Sequence, residues 1–245
     1  MTDRTVLALG GADRVGFLQG LVTNDVDQPV GEIVYTALLT PQGKFIADFF
    51  VVVEKDRLLI DVSASAAQTL FQRLSMYKLR ADVALAETDL IVSRGTGDAP
   101  AGAMADPRHT AMGWRAYGPT DIGQQIDWDA LRVAHVIPAT GIELTPETYI
   151  LEAGFERLNG VDFRKGCFVG QEIVARMKHK TILKKGLAQV TVDGSATSGD
   201  AITANDKSVG TLHTMSGDKA IAYLRFDRAE KKMQAGNATL KMIAP

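Results

Sequence analysis

In "ADRVGFLQGLVTNDV", Val15, Leu18 and Leu21 recur at helical spacing, Asp13 stands where an N-cap belongs, and Thr23-Asn24-Asp25 closes the segment. The pattern then changes period. "EIVYTALLTPQGKFIADFFVVVEKDRLLIDV" reads as three strands divided by turns at Pro41-Gln42-Gly43 and Lys55-Asp56. "SASAAQTLFQRLSMYKL" returns to helix, with Leu70, Leu74 and Tyr77 on one side, and "ADVALAETDLIVSRG" returns to strand. The Gly-, Ala- and Pro-rich stretch 95–107 is expected to be a loop, and 122–137 a helix broken by "VIPATGIELTPE".

From Gly186 onward, "GLAQVTVDG", "DAITANDKSVGTLHTM", "AIAYLRF" and "ATLKMI" are short strands between glycine-rich turns, the pattern of a small all-β barrel. The expectation is an α+β body over 1–185, broken near 95–110 into two interleaved subdomains, followed by a β-barrel over 186–245. With 46% hydrophobic and 23% charged residues, 245 residues can bury a sizeable core. A formal net charge of −2 speaks against a whole-molecule electrostatic nucleic-acid binder. The first residues carry an acid early and no apolar run of signal-peptide length, and no stretch approaches the roughly 18–20 apolar residues of a membrane span. A cytoplasmic protein without a membrane segment is therefore expected.

A single cysteine excludes an internal disulfide and Cys-rich zinc sites, and the four histidines are scattered, so no metal site is readable. That cysteine, Cys167, lies in "KGCFVGQE" beside Lys165, just before the helical stretch "QEIVARMKHK", in which Val169, Ile173 and Met177 form an apolar stripe. A helix N-terminus and an adjacent lysine both favour a thiolate. The alternative is a small apolar residue in a core, where free cysteines are common. His179 is twelve residues on, roughly 10 Å or more away at ~1.5 Å of helical rise per residue, which argues against a local Cys–His pair. Across 164–185, Arg164, Lys165, Arg176, Lys178, Lys180, Lys184 and Lys185 face Glu172 alone. This basic run suits an anionic partner, RNA included, or simply a solvated helix end.

In "GKFIADFFVVV", alternation puts Asp48 on one face with Ile46, Phe50 and Val52. A carboxylate among apolar neighbours needs a partner or a raised pKa, which marks a candidate site unless that face meets water.

Together, "FLQGLVTNDV", "YTALLTPQGKFIADFFV", "LRVAHVIPATGIEL" and "ILEAGFERLNGVDFRKGCFVGQEIVAR" resemble the superfamily of the glycine-cleavage T-protein (aminomethyltransferase). The run K-G-C-[FY]-x-G-Q-E-x-x-x-R, here Lys165 to Arg176, resembles the signature of its YgfZ-type folate-binding branch. The resemblance implies a cloverleaf of subdomains around a central channel that binds tetrahydrofolate or a one-carbon derivative. It also implies a role in assembly or repair of iron–sulfur clusters in client enzymes, tRNA-modifying ones included, with cluster-assembly proteins as partners. On this reading Cys167, Lys165 and Asp48 would carry the chemistry, while Glu152, Asp48, Gln171 and Arg176 would hold the folate.

The departures are informative. Where the T-protein has an Asp–Asp doublet this chain has Ala47-Asp48, where it has an acid the chain has Cys167, and Ala134 replaces the first of two family glutamates. The second survives as Glu152, whose two oxygens suit the paired N–H groups of a pterin edge. Thr181 stands where the YgfZ-type branch usually has glycine. The thiol could form a mixed disulfide, give one ligand to a shared cluster, or attack a one-carbon adduct. Competing readings are a folate-dependent aminomethyltransferase, weakened by the missing acids, and a scaffold that contacts RNA through 164–185.

Overall fold

The computed structural model describes residues 3–180, 182–229 and 232–243. Its contacts divide the chain into two units, Met1–Ile126 with Phe155–Ala175, and Asp127–Gly154 with Arg176–Pro245.

In the first unit the chain runs through β1 (Arg4–Gly10), α1 (Arg14–Gln19), β2 (Ile33–Leu39), β3 (Phe45–Val53), β4 (Leu58–Ser63), α2 (Ala64–Tyr77) and β5 (Ala84–Glu87). The five strands form one antiparallel sheet in the order β2-β3-β4-β1-β5. The three-strand stretch and both its turns fall where the alternation places them. Phe49, Val51 and Val53 of β3 pack with Leu18 of α1 and Leu70 and Leu74 of α2. Full burial of one such side chain contributes roughly 1.5–3 kcal/mol. On the opposite face Val6, Val52 and Leu59 meet Val92. Val92 belongs to a smaller sheet of β6 (Ile91–Gly95), β7 (Met104–Ala105) and β8 (Trp114–Gly118). Both faces of the large sheet are thus covered, which is why β3 is apolar on successive residues.

Asp13 does sit at the N-cap of α1, but its side chain caps nothing there. Its carboxylate accepts instead from the Asp82 N–H at 2.8 Å, tying the helix start to the approach to β5.

The second unit holds α3 (Trp128–His135), the end of α4 (Gln171–Lys180) and six strands. The helix expected over 122–137 is shorter because Asp127 caps it, its Oδ1 accepting from the Ala130 N–H at 2.9 Å. The strands are β9 (Lys185–Asp193), β10 (Ala201–Ala204), β11 (Lys207–Ser216), β12 (Lys219–Arg225), β13 (Met233–Ala235) and β14 (Ala238–Met242). They close as β10-β11-β12-β9-β14-β13, and Thr203 opposite Gln234 completes the ring. Asn205 and Asp206, both at positive φ (47° and 60°), make the tight turn between β10 and β11. The interior is apolar, with Val190, Ile202, Leu212, Leu224 and Leu240 at its centre. The mixed α/β body and closed C-terminal barrel match the expected fold class.

Candidate functional site

Cys167 is exposed, on the segment between Lys165 and the start of α4. Lys165 is 9% exposed, and its Nζ donates to the backbone carbonyls of Gln19 (2.8 Å), Val22 (2.5 Å) and Asn24 (3.0 Å). Burial depresses its pKa to about 8, against the pull of Asp25 and Asp162. Since its side chain is withdrawn inward, its charge contributes little to the exposed basic run. Neighbouring backbone is stitched to the same loop, with Asp162 N–H donating to the Thr23 carbonyl at 3.1 Å and Thr23 Oγ1 donating to the Gly160 carbonyl at 2.7 Å.

Beyond the thiol, Gly170 has φ +84°, and a Cβ there would stand 2.7 Å from the Thr40 carbonyl and 3.1 Å from Gly43 Cα. Gly43, in the β2–β3 turn, has φ +73°, and its Cβ would meet Ile173 at 2.8 Å. Gly170 thus lets its backbone approach the Thr40–Gly43 turn, and Gly43 leaves room for Ile173 of the helix that follows. Gln171 opens α4, its N–H on the Phe168 carbonyl at 3.2 Å. The exposed Arg176 lies farther along the same helix. Of the expected stripe, Ile173 and Met177 are half-buried, and the deeply buried position is Val174.

Asp48 is buried, and Tyr35 Oη donates to its Oδ2 at 2.9 Å. Tyr35 itself is buried, stacked on Phe155 with ring centroids 5.1 Å apart, and burial together with the Asp48 charge drives its pKa well up. The Arg108 guanidinium lies over the Phe50 ring at 4.8 Å and pairs with Asp106 at 2.8 Å.

Next to this lies a second buried acid, Asp61, opposite Phe50 in the β3–β4 register. Asp61 accepts from Arg4 Nε (2.6 Å), Tyr117 Oη (2.9 Å) and Arg115, whose Nη1 also reaches Asp106 at 3.3 Å. Burial alone would raise the Asp61 pKa, but Arg115 and Arg4 outweigh it and hold it at about 2. Tyr117 is pushed up, by burial first and by Asp61 second. Reasoning from sequence missed Tyr35, Asp61, Asp106, Arg108 and Arg115. Asp61 could have been found, since an acid inside "LLIDV" is the same signal as Asp48 inside "FIADFFV".

In the second unit Glu152 is half-buried, and its Oε2 accepts from Tyr223 Oη at 2.6 Å. Burial and then this bond raise the Tyr223 pKa. Among the described residues Glu152 Oε1 accepts no hydrogen bond. The other buried carboxylate here, Glu143, is saturated by Arg132 (2.5 Å), Thr214 Oγ1 (2.5 Å) and the Ala139 N–H (2.9 Å), so its role is structural. Thr181 lies outside the described residues. No helix of the described residues is long and apolar enough to cross a membrane.

Residues 184–245 match the family model of the CAF17 C-terminal beta-barrel domain, and residues 3–93 that of the GCVT N-terminal domain. The chain is thus similar to CAF17 at its C-terminal end and to the GCVT N-terminal domain at its N-terminal end.

The mitochondrial iron-sulfur cluster assembly factor IBA57 of Mus musculus is 26% identical, aligned over 100% of this chain and 82% of that protein. The Homo sapiens protein of that name is 28% identical over 91% and 76%. The IBA57 homolog of Neurospora crassa is 29% identical over 76% of this chain, which spans only about half (51%) of that longer protein. Among solved structures, the glycine cleavage system aminomethyltransferase T from Bartonella henselae superposes with a TM-score of 0.80, over 99% of this chain and 83% of that one. At 13% identity this establishes the fold alone.

The cytoplasmic expectation is overturned, because these relatives are mitochondrial proteins by name. It rested on the first residues and on the lack of a long apolar run. Neither property distinguishes one aqueous compartment from another.

Proposed function

We propose that this IBA57-like chain is an accessory factor in assembly or repair of iron–sulfur clusters, with Cys167 as its working thiol and the cluster as its cargo. The observation that carries the reading is the chain's lone cysteine standing exposed between two fixed points, the buried Lys165 and the Gly170–Gly43 contact. A buried structural cysteine would look different. The iron–sulfur assembly names of the relatives support the same reading. In a strain lacking this factor, Cys167→Ala is expected to leave iron–sulfur enzyme activity near the null level while wild type restores it. Full restoration by the variant would remove the thiol from the function.

The finer reading places the chain in the YgfZ-type branch, with tetrahydrofolate or a one-carbon derivative as ligand. The residues present fit a pterin: Glu152 keeps an uncommitted carboxylate oxygen, the acceptor a pterin N–H requires, and Tyr223 holds the other oxygen in place. In the first unit Tyr35 orients the buried Asp48, the other acid proposed to act on a folate. The folate would supply one-carbon carrying capacity. Calorimetric titration should show micromolar tetrahydrofolate binding that Glu152→Ala weakens about tenfold or more, the cost of one charged hydrogen bond. Absence of binding to a folded protein would reject the folate reading and leave the thiol reading standing.

A further inference from the structure

We infer that Lys165 is a positioning residue, a built-in cation in a cage of three backbone carbonyls that fixes the loop carrying Cys167. An ammonium has three N–H donors and no acceptor. All three are matched here, to Gln19, Val22 and Asn24, within 3.0 Å. No donor remains for a thiolate, and Lys165 makes no ion pair among the described residues. The acceptors are carbonyls at the end of α1 and in the turn behind it, groups that a helix cannot satisfy from its own ladder.

The cage therefore serves both sides. It pairs carbonyls that would otherwise be stranded, and it pins the stretch beginning at Arg164 onto the turn 19–24. The Asp162–Thr23 and Thr23–Gly160 hydrogen bonds run along the same seam, so the ammonium closes a row of contacts. The Gly170–Gly43 contact fixes the other end. Cys167 is held between the two anchors, and Lys165 acts on it through the backbone.

This rests on the reading of Cys167 as the working thiol, but its test does not depend on activity. The pH profile of iodoacetamide alkylation reports the thiol, and amide exchange at Asp162 and Thr23 reports the clamp, in wild type and in Lys165→Ala. A positioning role leaves the alkylation midpoint where it was. Amide exchange speeds up by about tenfold or more, as expected for loss of charged hydrogen bonds. Propylammonium, which replaces the deleted part of the side chain, then restores the protection, whereas tetramethylammonium, with no N–H to offer, does not.

A midpoint raised by about one unit or more with exchange unchanged would overturn the inference and make Lys165 a thiolate partner. Should Lys165→Ala fail to fold, Lys165→Met keeps the apolar stem and gives the same two readouts. If Cys167→Ala proved fully active in cells, the thiol reading would fall, while the exchange data would still decide whether Lys165 clamps the loop.

Discussion

Arg115 and Lys165 are both buried cations of the first unit, yet their surroundings are opposite in kind. Arg115 faces two carboxylates, Asp61 and Asp106, and its pKa rises because their charges outweigh the burial that would lower it. Lys165 donates its three hydrogen bonds to carbonyls, with Asp25 and Asp162 acting only through space, and its pKa falls to about 8, burial being the main cause. Full countercharge locks a proton in place. Partial charges leave it titratable near neutrality. The Arg115 network thus acts as a permanent bolt between the large sheet and β8, whereas the Lys165 cage holds a loop that carries an exposed thiol.

The largest expected effect breaks the bolt. Asp61→Ala strands Arg115 and Arg4 without their shared carboxylate and should cost about 3–5 kcal/mol in urea unfolding. An unchanged midpoint would show that Asp106 alone can hold Arg115. The same carboxylate gives an acid signature. Its folded pKa, about 2, lies below the ordinary 3.8, so its contribution is present above 3.8 and lost as pH falls toward 2. That shift corresponds to about 2 kcal/mol, and Asp61→Asn should remove this limb of the acid unfolding curve.

A smaller effect tests the second anchor of the thiol loop. Gly170→Ala forces a side chain to φ +84° and against the Thr40 carbonyl, at a cost of order 1–3 kcal/mol. Because Cys167 is exposed, its alkylation should stay fast while amide protection at Gln171 and Val174 falls. Protection equal to wild type would mean that the β2–β3 turn yields without loss.

How much of this was legible depends on the range of the interaction. The β2–β4 strands and most of the barrel follow from local alternation and turn residues. The three-residue β13 does not, because its pairing with β10 and β14 is made by closure of the ring. Asp48 was legible because its neighbours in sequence are apolar. Arg115 was not, since its partners Asp61 and Asp106 come from other strands and loops. For Lys165, sequence adjacency points to Cys167, but its acceptors lie 141 to 146 residues away along the chain. The glycines of the motif were visible as punctuation, and only the structure pairs Gly170 with Gly43.

The smallest effect follows from the sign of the Lys165 shift. Its folded pKa of about 8 lies below the ordinary 10.5, so between these values the unfolded chain holds a proton that the folded chain has shed. Unfolding in that window takes up a proton, and this group's contribution to stability must rise with pH from 8 to 10.5 and stay flat below. Lys165→Met lacks the group, so the wild-type stability minus that of Lys165→Met, from urea melts at each pH, should climb across the window. Tyr35, Tyr117 and Tyr223 have raised pKa values and pull the other way above pH 10, but they are present in both proteins and cancel in the difference. A flat difference would mean that three carbonyls compensate a buried ammonium as fully as carboxylates compensate Arg115, and the contrast between the two cations would collapse. A climbing difference, with loop protection falling over the same pH range, would show that the clamp loosens as it loses its proton even while the fold as a whole gains stability.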